Sequence, residues 1–130
     1  MILAGDATKL TDALSDLDDP VCGFVIDPPY GRNSQGSLEP MALLERVLMS
    51  AHEVAHSSAG LVLILPIHPM GEHPDEPIPN AAGINLLHGD WQGIEQALSN
   101  AHWSIQNRWV EHVHASLSRL ILHATIVPRD

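Results

Sequence analysis

Positive charge is scarce in this chain. Lys9 is the only lysine, and Arg32, Arg46, Arg108, Arg119 and Arg129 are the only arginines. These six basic residues face sixteen aspartates and glutamates, for a formal net charge of −10. Gripping a phosphate backbone draws on Lys and Arg, so this polypeptide alone is poorly equipped to hold a nucleic acid. Cysteine is scarcer still: Cys22 stands alone. That excludes an internal disulfide, fits a reducing cytoplasmic setting, and marks Cys22 as a small buried hydrophobe. No apolar run is long enough to cross a bilayer, and Met1 leads through a short apolar stretch directly to Asp6 without a secretory pattern. Internal repeats and low-complexity tracts are absent.

What remains is the composition of one globular domain. Residues 1–130 are 45% hydrophobic, enough for a real core. Ile2-Leu3-Ala4 reads as the stub of a strand, and Leu10 through Leu17 as a short helix. Gly23-Phe24-Val25-Ile26 is a short buried strand. Leu38 to Ser57 has the helical period, with Met41, Leu44, Val47, Leu48, Ala51, Val54 and Ala55 on one face and Ser37 as its N-cap. Gly60 opens Leu61-Val62-Leu63-Ile64-Leu65, a continuous apolar run expected of a parallel strand covered on both faces. Pro66 to Asp90 holds five of the ten prolines and no clear period, so it reads as a long functional loop. Asp90 caps a helix over Trp91–Asn100. Trp103–Val113 and Leu120–Val127 read as strands joined by a turn containing Ala115-Ser116-Leu117-Ser118. The tryptophans Trp91, Trp103 and Trp109 read as core anchors.

The chemistry concentrates at Asp27-Pro28-Pro29-Tyr30. These residues follow a strand and precede the loop Gly31-Arg32-Asn33-Ser34-Gln35-Gly36-Ser37, so they fall at the carboxyl end of a strand, where open α/β sheets bind ligands. Two prolines stiffen the turn. The Asp27 carboxylate and the Pro28 carbonyl then form a rigid pair of acceptors beside the flat ring of Tyr30. Such a pair suits the two hydrogens of an exocyclic amine on a base, with Tyr30 stacked on that base.

The tetrapeptide resembles the catalytic motif of S-adenosylmethionine-dependent amino-methyltransferases. The longer string Asp27-Pro28-Pro29-Tyr30-Gly31-Arg32-Asn33-Ser34 looks like that of the archaeal and eukaryotic tRNA guanine-N2 methyltransferases. Gly5-Asp6-Ala7-Thr8-Lys9-Leu10 and Val113-His114-Ala115-Ser116-Leu117-Ser118-Arg119 are similar to two further segments of that family, in order and spacing. The resemblance implies an α/β fold: the C-terminal half of a Rossmann-like methyltransferase sheet, parallel strands followed by an antiparallel hairpin. It implies catalytic Asp27, Pro28, Pro29 and Tyr30. It implies S-adenosylmethionine as cofactor, held by Asp6, Ala7 and Asp27 with Asp6 on the adenine amine, and contacts to a tRNA guanosine through Tyr30, Gly31, Arg32 and Arg119. The family's glycine-rich cofactor turn and its N-terminal RNA-binding module have no counterpart here. The chain therefore reads as a fragment or a truncated product that is inactive alone, with tRNA gripped by the missing module and an activator protein as a further partner. The strand edge left unpaired by the missing half implies a homo-oligomer. Two alternatives stay open: a DNA or protein amino-methyltransferase, and a catalytically silent partner-binding module.

Other constellations point away from metal. His52-Glu53-Val54-Ala55-His56 matches the zincin pattern His-Glu-x-x-His. The pair, however, ends a helix at the amino edge of the next strand and lacks a third ligand, so it reads as a solvated helix face. His68, Glu72, His73, Asp75 and Glu76 fit no metal spacing and read as a solvated loop. His114 and Arg119 suit either RNA phosphates or the polar groups of the strand turn.

Overall fold

A computed structural model describes residues 4–28, 40–69 and 84–129. A four-stranded mixed sheet carries the fold. Its strands are β1 (Val21–Ile26), β2 (Ala55–Ile67), β3 (Trp103–His114) and β4 (Leu117–Ile126), in the spatial order β1-β2-β4-β3. β1 and β2 pair in parallel, β4 runs antiparallel to β2, and β3 closes the sheet as the other arm of a hairpin. This is the α/β class expected, with parallel strands first and an antiparallel hairpin last. The helices are α1 (Leu10–Ala13), preceded by a 3-10 turn at Ala7–Lys9, α2 (Pro40–Val54) and α3 (Trp91–Asn100).

The core fills one face of the sheet. Leu61, Leu63, Leu65 and Ile67 of β2 and Leu120, Leu122 and Ala124 of β4 are fully buried, packed with Leu44, Leu48 and Ala51 of α2 and Ile94, Ala97 and Leu98 of α3. The intervening β2 residues Val62, Ile64 and Pro66 are only half-buried. The expectation of a strand covered on both faces is therefore corrected. Among the described residues both long helices belong to one core cluster, and successive strand residues point to opposite faces, so every second side chain lacks that cover. Trp103 locks the arrangement. Its indole N–H donates to the Leu48 carbonyl at 3.0 Å, and its ring meets Phe24 of β1 edge-on at 5.9 Å.

Several boundaries shift from those expected. The helix over 10–17 ends at Ala13, because residues 14–16 form a turn. β1 begins two residues earlier, at Val21, directly after Pro20. The long helix ends at Val54 and β2 starts at Ala55, which puts His56 on the strand. There the Ser58 N–H donates to Nδ1 of His56 at 3.0 Å; a side chain that takes a backbone donor this way competes with helix continuation. The hairpin turn is Ala115-Ser116 alone, with Leu117 paired opposite His114, so Ser118 and Arg119 belong to β4. The Pro66–Asp90 stretch is not loop throughout. Ile67 ends β2 and bridges to Leu86, and the His68 N–H donates to the Asn85 carbonyl at 2.8 Å. Asp90 caps α3 as expected, accepting from the Gly93 N–H at 2.6 Å. Cys22 is exposed rather than buried. Ser37, the stub at Ile2 and Leu3, and the middle of the proline-rich stretch lie outside the described residues.

Candidate active site

β1 ends at Ile26, and Asp27 and Pro28 follow at its carboxyl end, Asp27 exposed and Pro28 half-buried. They line a cavity of about 560 Å³. Asp6, Ala7, Thr8 and Leu10, Gly23 to Ile26 of β1, and Leu43, Leu44 and Val47 of α2 complete its lining. The cavity is mostly apolar, with the two carboxylates as its principal polar groups. A volume in this range suits a nucleoside-sized ligand.

Local chemistry fixes the Asp6 wall. Asp6 Oδ1 accepts from the Thr8 N–H at 2.9 Å and from the Thr8 hydroxyl at 2.7 Å, which caps the 3-10 turn. Asp6 Oδ2 has no partner among the described residues and remains available to an amine. The Thr8 hydroxyl bond, then its backbone bond, with Lys9 and Arg46 adding less, lowers the Asp6 carboxyl below its ordinary 3.8 and keeps it ionised. The turn is tied to α2 by the Leu10 N–H donating to Ser50 Oγ at 2.7 Å and by Thr11 Oγ1 donating to Glu53 Oε2 at 3.2 Å. Gly5 is needed for a close approach: a Cβ there would stand 2.7 Å from the Ala13 Cβ. The Gly5-Asp6-Ala7-Thr8 segment thus has a structural reason for each of three residues, besides the carboxylate it presents.

The structure brings Asp6, Ala7, Asp27 and Pro28 together around one cavity. Pro29, Tyr30, Gly31 and Arg32 lie outside the described residues. Arg119 does not line the cavity. It sits on β4 opposite Pro66 and Glu111, towards the same sheet edge but with β2 between β4 and β1. His114 Nδ1 accepts from the Ser116 N–H at 3.1 Å, so this imidazole serves the hairpin turn.

The zincin pattern dissolves in three dimensions. His52 is on α2, with Nε2 2.8 Å from the Val127 carbonyl oxygen, and His56 is on β2, with Nδ1 2.8 Å from Ser58 Oγ. The two do not share a helix face. No cluster of three metal-binding side chains occurs among the described residues, and of the loop cluster only His68 is described. Two of the three tryptophans join the core: Trp103 is buried and Trp91 packs against it. Trp109 does not. Sequence reading missed the Arg108 guanidinium stacked 5.2 Å from the Trp91 ring centre. No spacing rule links a helix start to a strand that far along the chain.

No protein-family model matches this sequence, and no curated protein does. Solved structures do. One is a candidate DNA modification methylase of Thermus thermophilus, 16% identical, with TM-score 0.58 over 96% of this chain and 52% of that one. The same protein complexed with S-adenosyl-L-methionine aligns over 98% of this chain and 53% of that one, at 14% identity and TM-score 0.55. A SAM-dependent methyltransferase of Methanosarcina mazei aligns over 96% of this chain and 66% of that one, at 10% identity and TM-score 0.54. The described unit has a methyltransferase-like α/β fold. It spans about half the length of the first structures it matches.

Proposed function

We propose that this chain forms part of an S-adenosylmethionine-dependent methyltransferase acting on the exocyclic N2 amine of a tRNA guanosine. One observation carries the reading: Asp27 and Pro28, at the carboxyl end of a parallel strand, share a cavity with a separately anchored carboxylate, Asp6. The cavity fits the cofactor on its own terms. Its apolar lining of Leu43, Leu44 and Val47 suits a flat base, and the ionised Asp6 suits that base's amine. S-adenosylmethionine would supply an electrophilic methyl group at the Asp27 end.

The amine of guanine is a poor nucleophile because its lone pair is delocalised into the ring. The Asp27 carboxylate and the Pro28 carbonyl would accept its two hydrogens, turn the lone pair out of conjugation and aim it along the line of transfer. Tyr30 would stack on the base, and Gly31, Arg32 and Arg119 would meet the surrounding nucleotide. This is orientation and electrostatic assistance, without a covalent enzyme intermediate. With a net charge of −10, the grip on tRNA falls to another module or partner, and the chain alone would be inactive.

A second reading, amino-methylation of DNA, is favoured by the fold likeness to a candidate DNA modification methylase. Nucleoside mass spectrometry separates the two. Cells with and without the gene are compared, and the deletion is complemented with the wild-type or Asp27→Ala protein. Loss of N2-methylguanosine from tRNA, restored by wild type alone, supports the tRNA reading. Loss of N6-methyladenine or N4-methylcytosine from DNA replaces it with the second. Unchanged methylation of both leaves a protein amino-methyltransferase or a partner-binding module.

A further inference from the structure

His52 is parted from His56 by the start of β2, but the fold brings it another imidazole. The His102 ring centre lies 5.7 Å from that of His52, with the two planes tilted by 60°. The residues come from different helices: His52 is in the last turn of α2, and His102 stands just beyond the end of α3. Val127 joins them through its backbone. Its N–H donates to the His102 carbonyl at 2.8 Å, and its carbonyl oxygen lies 2.8 Å from Nε2 of His52. A carbonyl oxygen only accepts, so Nε2 of His52 carries the hydrogen and Nδ1 keeps the lone pair. A backbone carbonyl that fixes the tautomer in this way is the usual outer support of a metal-binding histidine.

The backbone of His102 adds a second, independent sign. Its φ of 63° makes it the one non-glycine residue in the left-handed region among the described residues. Glycine takes that conformation without strain and commonly follows a helix end. A histidine there keeps an imidazole where glycine would be easier, and backbone held this way is concentrated at functional sites. Charge favours a cation at the same place. α2 and α3 both end here, and a helix C-terminus carries partial negative charge. The spacing agrees as well. Two imidazoles bound to one tetrahedral ion at ~2.0–2.1 Å set their ring centres about 5 Å apart, a small rotation from the separation observed.

We propose that His52 and His102 form a binding site for a divalent transition-metal ion of the zinc, nickel and copper class, which imidazole suits. Val127 holds the two rings in register, and Trp103, 5.9 Å from the His52 ring and near perpendicular to it, packs against the pair. Two protein ligands leave the other coordination positions to water, so the ion is open to a further ligand. The site stands at the amino end of β2, whereas Asp27 stands at the carboxyl end of β1. It does not depend on the methyl-transfer reading, because metal binding is measured without cofactor or nucleic acid.

The probe is zinc chloride, titrated calorimetrically into the full chain purified without a metal-affinity tag. A single ion should bind each chain, and the thermal midpoint should rise with zinc, as it does for any ion that prefers the folded state. His52→Gln keeps a donor for the Val127 carbonyl, and His102→Gly suits the left-handed backbone, so both variants should match the wild-type circular dichroism. Each should weaken zinc binding about 10-fold or more, the least that disturbing a metal site costs. His56→Ala and His114→Ala, outside the pair, should bind as wild type does. If either variant of the pair misfolds, ring NMR of the wild type decides: zinc should shift the His52 and His102 signals first among the nine histidines. No zinc binding by wild type, binding that survives in both His52→Gln and His102→Gly, an equal loss in His56→Ala or His114→Ala, or shifts confined to other histidines would overturn the proposal.

Discussion

The two edges of the sheet are built differently. β3 is the longer, at twelve residues. Its register with β4 shifts twice, between Ile105 and Asn107 and again between His112 and His114. It carries Arg108, Glu111, His112 and His114 along its length. Bulges and charges are the devices that keep an edge from recruiting another strand. β1 is six residues long, uncharged, and has its only irregularity at its amino end, between Val21 and Gly23. Among the described residues, β3 carries bulges and charges and β1 carries neither a charge nor a second irregularity. The plain strand leads into Asp27, so the candidate site belongs to β1 rather than to the bulged strand.

The largest expected effect tests what the two edges share. Trp103 lies at the start of β3 and touches Phe24 of β1 and the Leu48 carbonyl of α2. Trp103→Ala should cost about 3–5 kcal/mol, the usual range for a buried tryptophan, and loosen both edges together. Urea denaturation would measure it. A loss under about 1 kcal/mol would mean that the edges are held independently.

Next in size is the contrast in activity between the strand ends. Under the proposed function, Asp27→Ala should lower methyl transfer by at least ~10²-fold, as loss of an orienting carboxylate does. His114→Ala, at the β3 end of the hairpin, should leave the rate near wild type because that imidazole serves the turn. Labelled methyl incorporation by both variants decides it. Comparable losses in the two variants would erase the distinction.

A smaller effect is expected at the Asp6 wall. Gly5→Ala forces a Cβ against Ala13, and overpacking of this kind costs about 1–3 kcal/mol. Thermal unfolding would report it, and Ala13→Gly should restore much of the loss if the clash is its cause.

The smallest effect concerns Asp6. Its folded carboxyl lies below the ordinary 3.8, first through the Thr8 hydroxyl. A depressed carboxyl contributes stability that is present above the unfolded value and is lost as pH falls through the folded one. The cap should therefore hold at neutral pH and release only in acid below about 3.8. Carboxylate NMR should show the Asp6 titration moving upward in Thr8→Ala; an unmoved titration would take Thr8 out of the account.

Much of this was legible in the residues. Helical spacing located α2 and α3, and Asp90 announced the start of α3 because a short acceptor before an apolar-periodic run satisfies the first free N–H groups. Apolar runs located β1 and β2, alternation located β3 and β4, and the Asp27-Pro28 turn was found because proline cannot extend a strand interior. Boundaries were harder. Ser58 and His56 form a local bond that ends the pattern of α2 early, and Leu117 pairs with His114 to tighten the hairpin. Each depends on a contact rather than a propensity. Cys22 was misjudged because small apolar residues are usually interior, whereas β1 leaves it on an open strand.

The sequence by itself determined the elements, their order and the residues able to hold an amine, because these follow from side-chain period and from chemistry within a few positions. The tertiary structure alone decided which side chains those elements face. Leu63 and Ile64 are neighbours of nearly equal hydrophobicity, yet one is fully buried and the other is not. Likewise, period and local chemistry do not bring Asp6 to Asp27; the family resemblance implied it, and the packing of the first turn on α2 places both on one cavity. Both outcomes depend on which surfaces α1 and α2 cover, and burial is settled by that packing rather than by residue type.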